Sequence, residues 1–387
     1  MSHKKDMMIE RAKRWGKLVL LCVLPAIILK IRQRIWKYER FIIQEIKSPV
    51  RLSLLKRLWA MKHGFYSDHI LFYGLNKDNI HRYMPDFIHD SFLHPINARF
   101  SGMIDDKLQL PFLLKDFPEY VTDYHYLIYD SEMIDLSGLG RNTEAYDPGR
   151  LLSLLRDKGN LIIKPLSGQG GENVLRIEAN GGSFYINGNR YNESDALRCL
   201  MNREGYIVCQ FVHQHQYAND LYSSTTNTIR FITMRDYETH KAFIGACFHR
   251  VGTLQSIPVD NFGQGGLLCS IDMESGIIGR ALAKRADGGV QFLDKHPDTG
   301  VPISGQIIPS WDYIKSEVLR IADFLAFIPY MGWDIVITSN GFKVLEINSL
   351  PTLLWQIHNP ICDNPRAKAF YRHIIRKKGL TVPRWCM

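Results

Sequence analysis

Residues 161–178 read Leu161-Ile-Ile-Lys164-Pro-Leu-Ser167-Gly-Gln-Gly-Gly171-Glu-Asn-Val-Leu-Arg-Ile-Glu178. Three apolar residues run into Lys164, a glycine-rich turn follows from Ser167 to Gly171, and Asn173 to Glu178 alternates apolar and polar. The pattern predicts strand, loop, strand. Glycines let a backbone approach an anion, because no Cβ intrudes and positive φ is open. Successive N–H groups in such a loop can point at one phosphate oxygen, and a lysine ending the strand adds a point charge. A plain β-hairpin with a glycine turn and a surface lysine has the same pattern.

Around this stretch the chain reads as a small α+β unit. Pro148 to Asp157 is a helix before the Lys164 strand, and Ser183 to Gly188 is a further short strand. Asn192 to Asn202 is helical with Asn192 as its cap. Residues 205–215 form an apolar strand that ends in polar groups.

A second sheet follows. Along Asn227 to Asp236, Thr228, Arg230, Ile232 and Met234 share one face. An arginine within such a run must face solvent or meet an anion. Lys241 to Val251 is another strand and carries Arg250. Gly-Gln-Gly-Gly recurs at 263–266 with different flanks, as a turn or as a second backbone-lined loop. Asn261 and Gln264 are its candidate substrate residues. Trp311 to Phe327 is an amphipathic helix.

A β-hairpin then runs Trp333–Thr338, turns at Asn340-Gly341, and returns along Phe342–Ile347. Glu346 and Asn348 are two apart and share a face, and the turn places Asp334 across from them. Three oxygen-bearing side chains converge, as a hard divalent cation requires; solvent-facing hairpin residues would look the same. Upstream, His81 to Phe87 reads as a short helix ended by Pro85. Asp105 or Asp106 caps a second helix carrying Leu108, Leu110, Leu113 and Leu114, with Lys107 beside its N-terminus.

Charge separates the N-terminal arm from the body. Residues 1–63 hold sixteen Lys+Arg and four Asp+Glu, a net of +12, whereas the remaining 324 carry about −3. This argues against nucleic-acid binding by the body and points the arm at an anionic surface. Leu18 to Leu29 is uncharged for only twelve residues, short of the roughly 20 that span a bilayer. The interleaved basic and apolar residues that follow suit a helix lying on an anionic leaflet or a helical hairpin packed on the protein itself. The seven cysteines are scattered without a C-x-x-C, as buried thiols of a reducing compartment are. The expected location is cytoplasmic, with peripheral contact at the inner face of a membrane. No P-loop, H-E-x-x-H or G-x-S-x-G motif occurs.

Taken together these residues resemble the ATP-grasp superfamily, and more narrowly its sugar-transfer associated family. The resemblance rests on Gly64-Phe, Asp105-Asp-Lys107, Lys164-Pro, Ser167 to Gly171, Gln210 with Gln214-His215, Asn227-Thr-Ile-Arg230, Asp334, Glu346-Ile-Asn348 and Pro351, and covers residues 64 to 360. It implies an α+β fold of two lobes gripping ATP, preceded by a basic helical arm at 1–62. The remaining divisions are a pre-grasp region at 63–152, a small lobe at 153–222, a large lobe at 223–360 and a C-terminal helix and tail at 361–387. It further implies that Lys107 and Lys164 hold phosphates while Ser167, Gly168, Gln169, Gly170 and Gly171 close over them. Gln210, Phe211, Val212 and His213 would meet adenine, with Gln210 where the superfamily often has an acid. Asp334, Glu346 and Asn348 would carry one or two Mg²⁺. Arg230 and Arg250 would stabilise the transferring phosphoryl group. Asn227, Asn261, Gln264 and His358 are the substrate candidates. The implied reaction is ATP-dependent joining of a carboxylate to an amine through an acyl-phosphate, in cell-surface polysaccharide assembly. A kinase acting on a hydroxyl, or a non-catalytic nucleotide-binding scaffold at a membrane, are the alternatives.

Overall fold

The computed structural model describes residues 38–46, 48, 50–93, 96–136, 143–168, 170–201, 203–286 and 288–377. The apolar stretch 18–29, Gln169, Asn202 and the tail beyond 377 lie outside the described residues.

Among these residues the strands form two antiparallel sheets. The first contains β1 (Tyr124–Tyr129), β2 (Glu132–Asp135), β3 (Thr143–Ala145), β4 (Asn160–Pro165), β5 (Leu175–Asn180), β6 (Ser183–Ile186), β7 (Asn189–Tyr191) and β8 (Tyr206–Gln210), in the order β3-β2-β1-β8-β4-β5-β6-β7. The second contains β9 (Ile229–Arg235), β10 (Ala242–Val251), β11 (Leu267–Ile271), β12 (Ile278–Lys284), β13 (Val290–Leu293), β14 (Tyr330–Thr338) and β15 (Gly341–Asn348), in the order β13-β12-β11-β10-β9-β14-β15. The stretch 124–145, to which sequence pattern assigns no element, supplies three strands of the first sheet.

Helix α1 spans Leu54–Lys62, α2 Pro148–Lys158, α3 Glu193–Leu200, α4 Trp311–Phe324 and α5 Pro365–Lys377. The Asp147 side chain accepts from Gly149 N and Pro148 sits in the first turn of α2, a pre-organised start. Asn192 caps α3 through Asp195 N, as expected. Leu151, Leu152 and Leu155 of α2 are buried against Leu161, Ile163 and Ile177 of the first sheet. Each such leucine contributes roughly 2 kcal/mol of apolar burial.

The second sheet is covered on both faces. Ile314, Val318 and Ile321 of α4 pack with Phe231, Trp333 and Ile335. Phe370, Tyr371 and Ile374 of α5 pack with Ile232, Met234 and Tyr330. Several boundaries differ from expectation: the strand over 205–215 ends at Gln210, and that expected from Trp333 begins at Tyr330. Pro85 does not end a helix but precedes one, at Asp86–Ile88, because its fixed φ suits the position before a first turn. Helix α4 stops at Phe324 rather than Phe327.

Residues 38–46 are helical. Their Phe41 and Glu45 are buried, and Arg57 of α1 donates from Nε to Glu45 Oε1 at 2.7 Å. Among the described residues no helix is long and apolar enough to cross a membrane.

Candidate active site

A cavity of about 430 Å³ lies between the two sheets, within the usual range for a small-molecule site. Ile162 and Lys164 of β4 and Cys209 and Gln210 of β8 line one side. Arg230, Arg250, Asp334, Glu346 and Asn348 line the other.

The second sheet sets its polar wall by register. Asp334 on β14 lies opposite Arg230 on β9 and opposite Glu346 on β15, so three charged residues form one row across adjacent strands. A β-bulge makes this possible. Ile335 pairs with Val344 while Asp334 pairs with Glu346, leaving Leu345 as the extra residue. Phe342 and Val344 point into the core beneath α4. Without the bulge, alternation would send Glu346 and Asn348 to that same apolar face.

Lysines from other elements face this row. The Asp106 side chain accepts from Leu108 N and so starts the short helical turn Lys107–Gln109. Lys107 is buried. Its Nζ donates to Gly168 O at 3.1 Å and stands 4.0 Å from Glu346 Oε2. Lys164 Nζ donates to the carbonyl of the bulge residue Leu345 at 3.2 Å, over the Tyr124 ring. Asp105 accepts from Ser349 N at 2.8 Å and from Ser349 Oγ at 2.7 Å, which pins the chain immediately after Asn348.

Charge is balanced within the wall. Both Asp334 oxygens are engaged: Arg230 donates from Nε to Oδ1 and from Nη2 to Oδ2 at 2.9 Å, and Arg250 Nη2 is also 2.9 Å from Oδ2. Burial disfavours the Asp334 charge, yet the two guanidiniums hold its carboxyl below the usual range. Glu346 moves the other way. Burial and the neighbouring Asp334 raise it, against the pull of Lys107 and Lys164. Asp260, which sequence reasoning missed, is buried behind Arg250. It accepts from Thr228 N and Oγ1 at 2.8 and 2.5 Å and stands 3.6 Å from Arg250 Nε. Burial raises its carboxyl, with Arg250 opposing. Its only sequence signal is an acid at the entry to a glycine loop, which reads equally as a turn residue.

The cleft accepts some of the sequence-predicted residues and refuses others. Lys107, Lys164, Gly168, Gly170, Gly171, Gln210, Val212, Arg230, Arg250, Asn261, Asp334, Glu346 and Asn348 all line it. Gln169 lies outside the described residues. Ser167 is exposed and does not line the cavity. Phe211 and His213, beyond the end of β8, do not line it either. Phe211 instead carries Arg176 over its ring at 4.6 Å, and His213 is exposed.

Asn227 is a brace rather than a substrate contact. It is buried, donates from Nδ2 to Ala218 O and Tyr222 O, and accepts on Oδ1 from Gly252 N and Thr225 Oγ1. No polar valence is left for a ligand. His358 is likewise outside the cavity. Its Nε2 meets Leu268 O at 3.2 Å, and burial holds the imidazole down to about 4. Gln264 does not line the cavity but donates to Gly170 O at 2.7 Å, joining the two glycine loops.

The donor set fits a divalent cation and a polyphosphate. The Asn348 Nδ2 is buried without a partner, an amide donor left for an anion. Two carboxylates and an amide offer hard oxygens. Among the described residues no group of three His, Cys, Asp or Glu side chains is suited to a metal. Gly168, Gly170 and Gly171 have φ of 138°, 73° and 74°, a backbone that leaves space for an anion.

The family model for sugar-transfer associated ATP-grasp proteins matches residues 91–372. No curated protein sequence matches. Similar solved structures include the ATP-grasp ligase PsnB complexed with minimal precursor, Mg and ADP, 14% identical over 73% of this chain and 61% of that one with a TM-score of 0.34. They also include an ADP complex of purK, an N5-carboxyaminoimidazole ribonucleotide synthetase, at 9% identity, 73% and 59% coverage and TM-score 0.37. D-alanine–D-alanine ligase from Bacillus anthracis follows at 13% identity, 72% and 68% coverage and TM-score 0.36. The chain spans about three fifths of the length of the first two.

Proposed function

Because the chain belongs to the sugar-transfer associated ATP-grasp family, whose cofactors are ATP and Mg²⁺, we propose that it joins a carboxylate to an amine at the expense of ATP. The observation that carries the reading is the row Arg230–Asp334–Glu346 facing Lys107 and Lys164 across one cleft.

In this reading the two lysines neutralise the α- and β-phosphates, and the backbone of Gly168, Gly170 and Gly171 covers the triphosphate. Ile162, Cys209, Val212 and Leu345 offer apolar surface to adenine, and the Gln210 carbonyl accepts from its amino group. Asp334, Glu346 and Asn348 hold Mg²⁺, which when bound offsets charge on the phosphates. An oxygen of the substrate carboxylate attacks the γ-phosphorus, and the bond to the bridging oxygen of ADP breaks. Arg230 and Arg250 stabilise the charge on the group in flight. The amine then attacks the acyl carbon, phosphate departs, and the amine proton passes to solvent. No protein nucleophile is needed.

The family description suggests polysaccharide assembly as the setting, with a uronic acid or amino-acid decoration as the product. Peripheral attachment at the inner face of a membrane belongs to the same reading, supported by the +12 charge of residues 1–63.

The test is a coupled ADP-release screen of uronic acids and amino acids, singly and in pairs. Release that requires both a carboxylate and an amine supports the ligase. Transfer of ¹⁸O from labelled carboxylate into phosphate identifies the acyl-phosphate. Lys164→Ala should lower turnover by about a hundredfold. A phosphorylated hydroxyl formed without amine would establish the kinase instead.

A further inference from the structure

The N-terminal helices bury one side and leave the other apolar. In the helical residues 38–46, Ile42, Ile43 and Ile46 are 44%, 52% and 72% exposed; in α1, Leu54, Leu55 and Leu58 are 70%, 80% and 52% exposed. In each triad the last residue follows the adjacent first two by four and three residues, so each triad occupies one helix face. The Arg57–Glu45 ion pair ties the two helices together. Arg40, Arg51, Lys56 and Lys62 are exposed around the triads.

We infer that this pair of helices is a docking face for an anionic phospholipid bilayer, which deepens the membrane part of the reading above by naming the attaching surface. Six exposed aliphatic side chains interleaved with basic ones suit the headgroup boundary, where apolar burial and attraction to anionic lipid add. Charge disfavours the competing occupants. Residues 1–37 carry ten Lys+Arg against two Asp+Glu, so this chain's own N-terminus would bring like charge to a basic face. A second copy of the face would do the same. An anionic bilayer attracts the face and the segment before it together.

The placement matters for the cleft. The inner side of α1 packs through Ala60 and Trp59 on Phe65, Tyr73, Tyr83 and Ile357. Tyr73 Oη donates to Leu353 O at 3.1 Å, and Phe72 meets the edge of Phe262. Thr352, Leu354 and Phe262 line the cavity. One packed layer therefore separates the docking face from the cleft wall.

The experiment is co-sedimentation of the full chain with phosphatidylcholine vesicles, with and without 30% phosphatidylglycerol. Wild type should bind the anionic vesicles and lose binding in about 0.5 M salt. Leu54→Asp/Leu55→Asp/Leu58→Asp should bind at least about tenfold more weakly, and Arg51→Glu/Lys56→Glu should weaken binding without touching the apolar face. Absence of wild-type binding overturns the proposal. So does undiminished binding by both variants, which would assign attachment to residues 1–37. A wild-type dimer that the leucine variant converts to monomer, with vesicle binding unchanged, would assign the face to a second copy. The readout needs neither nucleotide nor carboxylate, so a failed ADP-release screen leaves it intact.

Discussion

The tetrapeptide Gly-Gln-Gly-Gly stands at 168–171 between β4 and β5 and again at 263–266 before β11. At the first, Gly168 and Gly170 are exposed, and a Cβ on Gly170 would come no nearer than 3.6 Å to the Asn261 amide. At the second, Asn261 Oδ1 accepts from Gly263 N, and a Cβ on Gly266 would lie 2.5 Å from the Asp260 carbonyl oxygen. In the first loop a Cβ on Gly170 has room, although one on Gly171 would lie 2.7 Å from Val259 Cγ1. The second uses glycine for want of space beside the residue that supports Arg250. Identical sequence thus leaves room at Gly170 in one place and none at Gly266 in the other, and the Gln264–Gly170 hydrogen bond joins the two loops.

The hardest blow to this contrast is Gly266→Ala. The clash is with backbone and cannot be relieved by a rotamer, so a loss of about 3 kcal/mol is expected in denaturant unfolding. An unchanged midpoint would break the comparison.

Acid tests the second loop's support. His358 bonds the Leu268 carbonyl just beyond it, and burial holds the imidazole down to about 4 against 6.5 in the unfolded chain. The unfolded state therefore takes up a proton first, and stability falls as pH drops from 6.5 towards 4. The loss should be on the order of 3 kcal/mol. His358→Gln keeps a donor but cannot titrate, so its stability should vary less across that window.

Gly170→Ala should cost only about 1 kcal/mol for its left-handed φ. It should instead raise the KM for ATP severalfold in the ADP-release assay. A large stability loss with normal KM would reverse the assignment of the two loops. The smallest effect is expected from Gln264→Ala, which removes one hydrogen bond worth about 1 kcal/mol. Equal loss in both loops' readouts would show that they act as one unit.

Periodicity made much of this legible. The alternation around Asn340-Gly341 yields the hairpin, but strict pairing from that turn would set Leu345 rather than Glu346 opposite Asp334. It could not supply the bulge. Strict alternation sets Glu346 with Phe342 and Val344, and only the three-dimensional pairing shows Leu345 as the inserted residue. Strands β1 and β2 escaped because their turn, Asp130-Ser131, takes φ of 54° and 59° without glycine, so the usual hairpin signal is missing. Asn227 and His358 were assigned to substrate because a polar residue near a motif looks available. Their partners, Ala218, Tyr222, Gly252 and Leu268, come from chain segments whose proximity no local pattern encodes.

The double embrace of Asp334 by Arg230 and Arg250 has a thermodynamic corollary. A phosphate that draws the guanidiniums away strips the aspartate of its counter-ions, and a cation that captures the aspartate frees both guanidiniums. Each guest lowers the cost of admitting the other, and by the same factor in either order. Metal and nucleotide should therefore enter as mutual accomplices, with either alone held far more weakly than the two together.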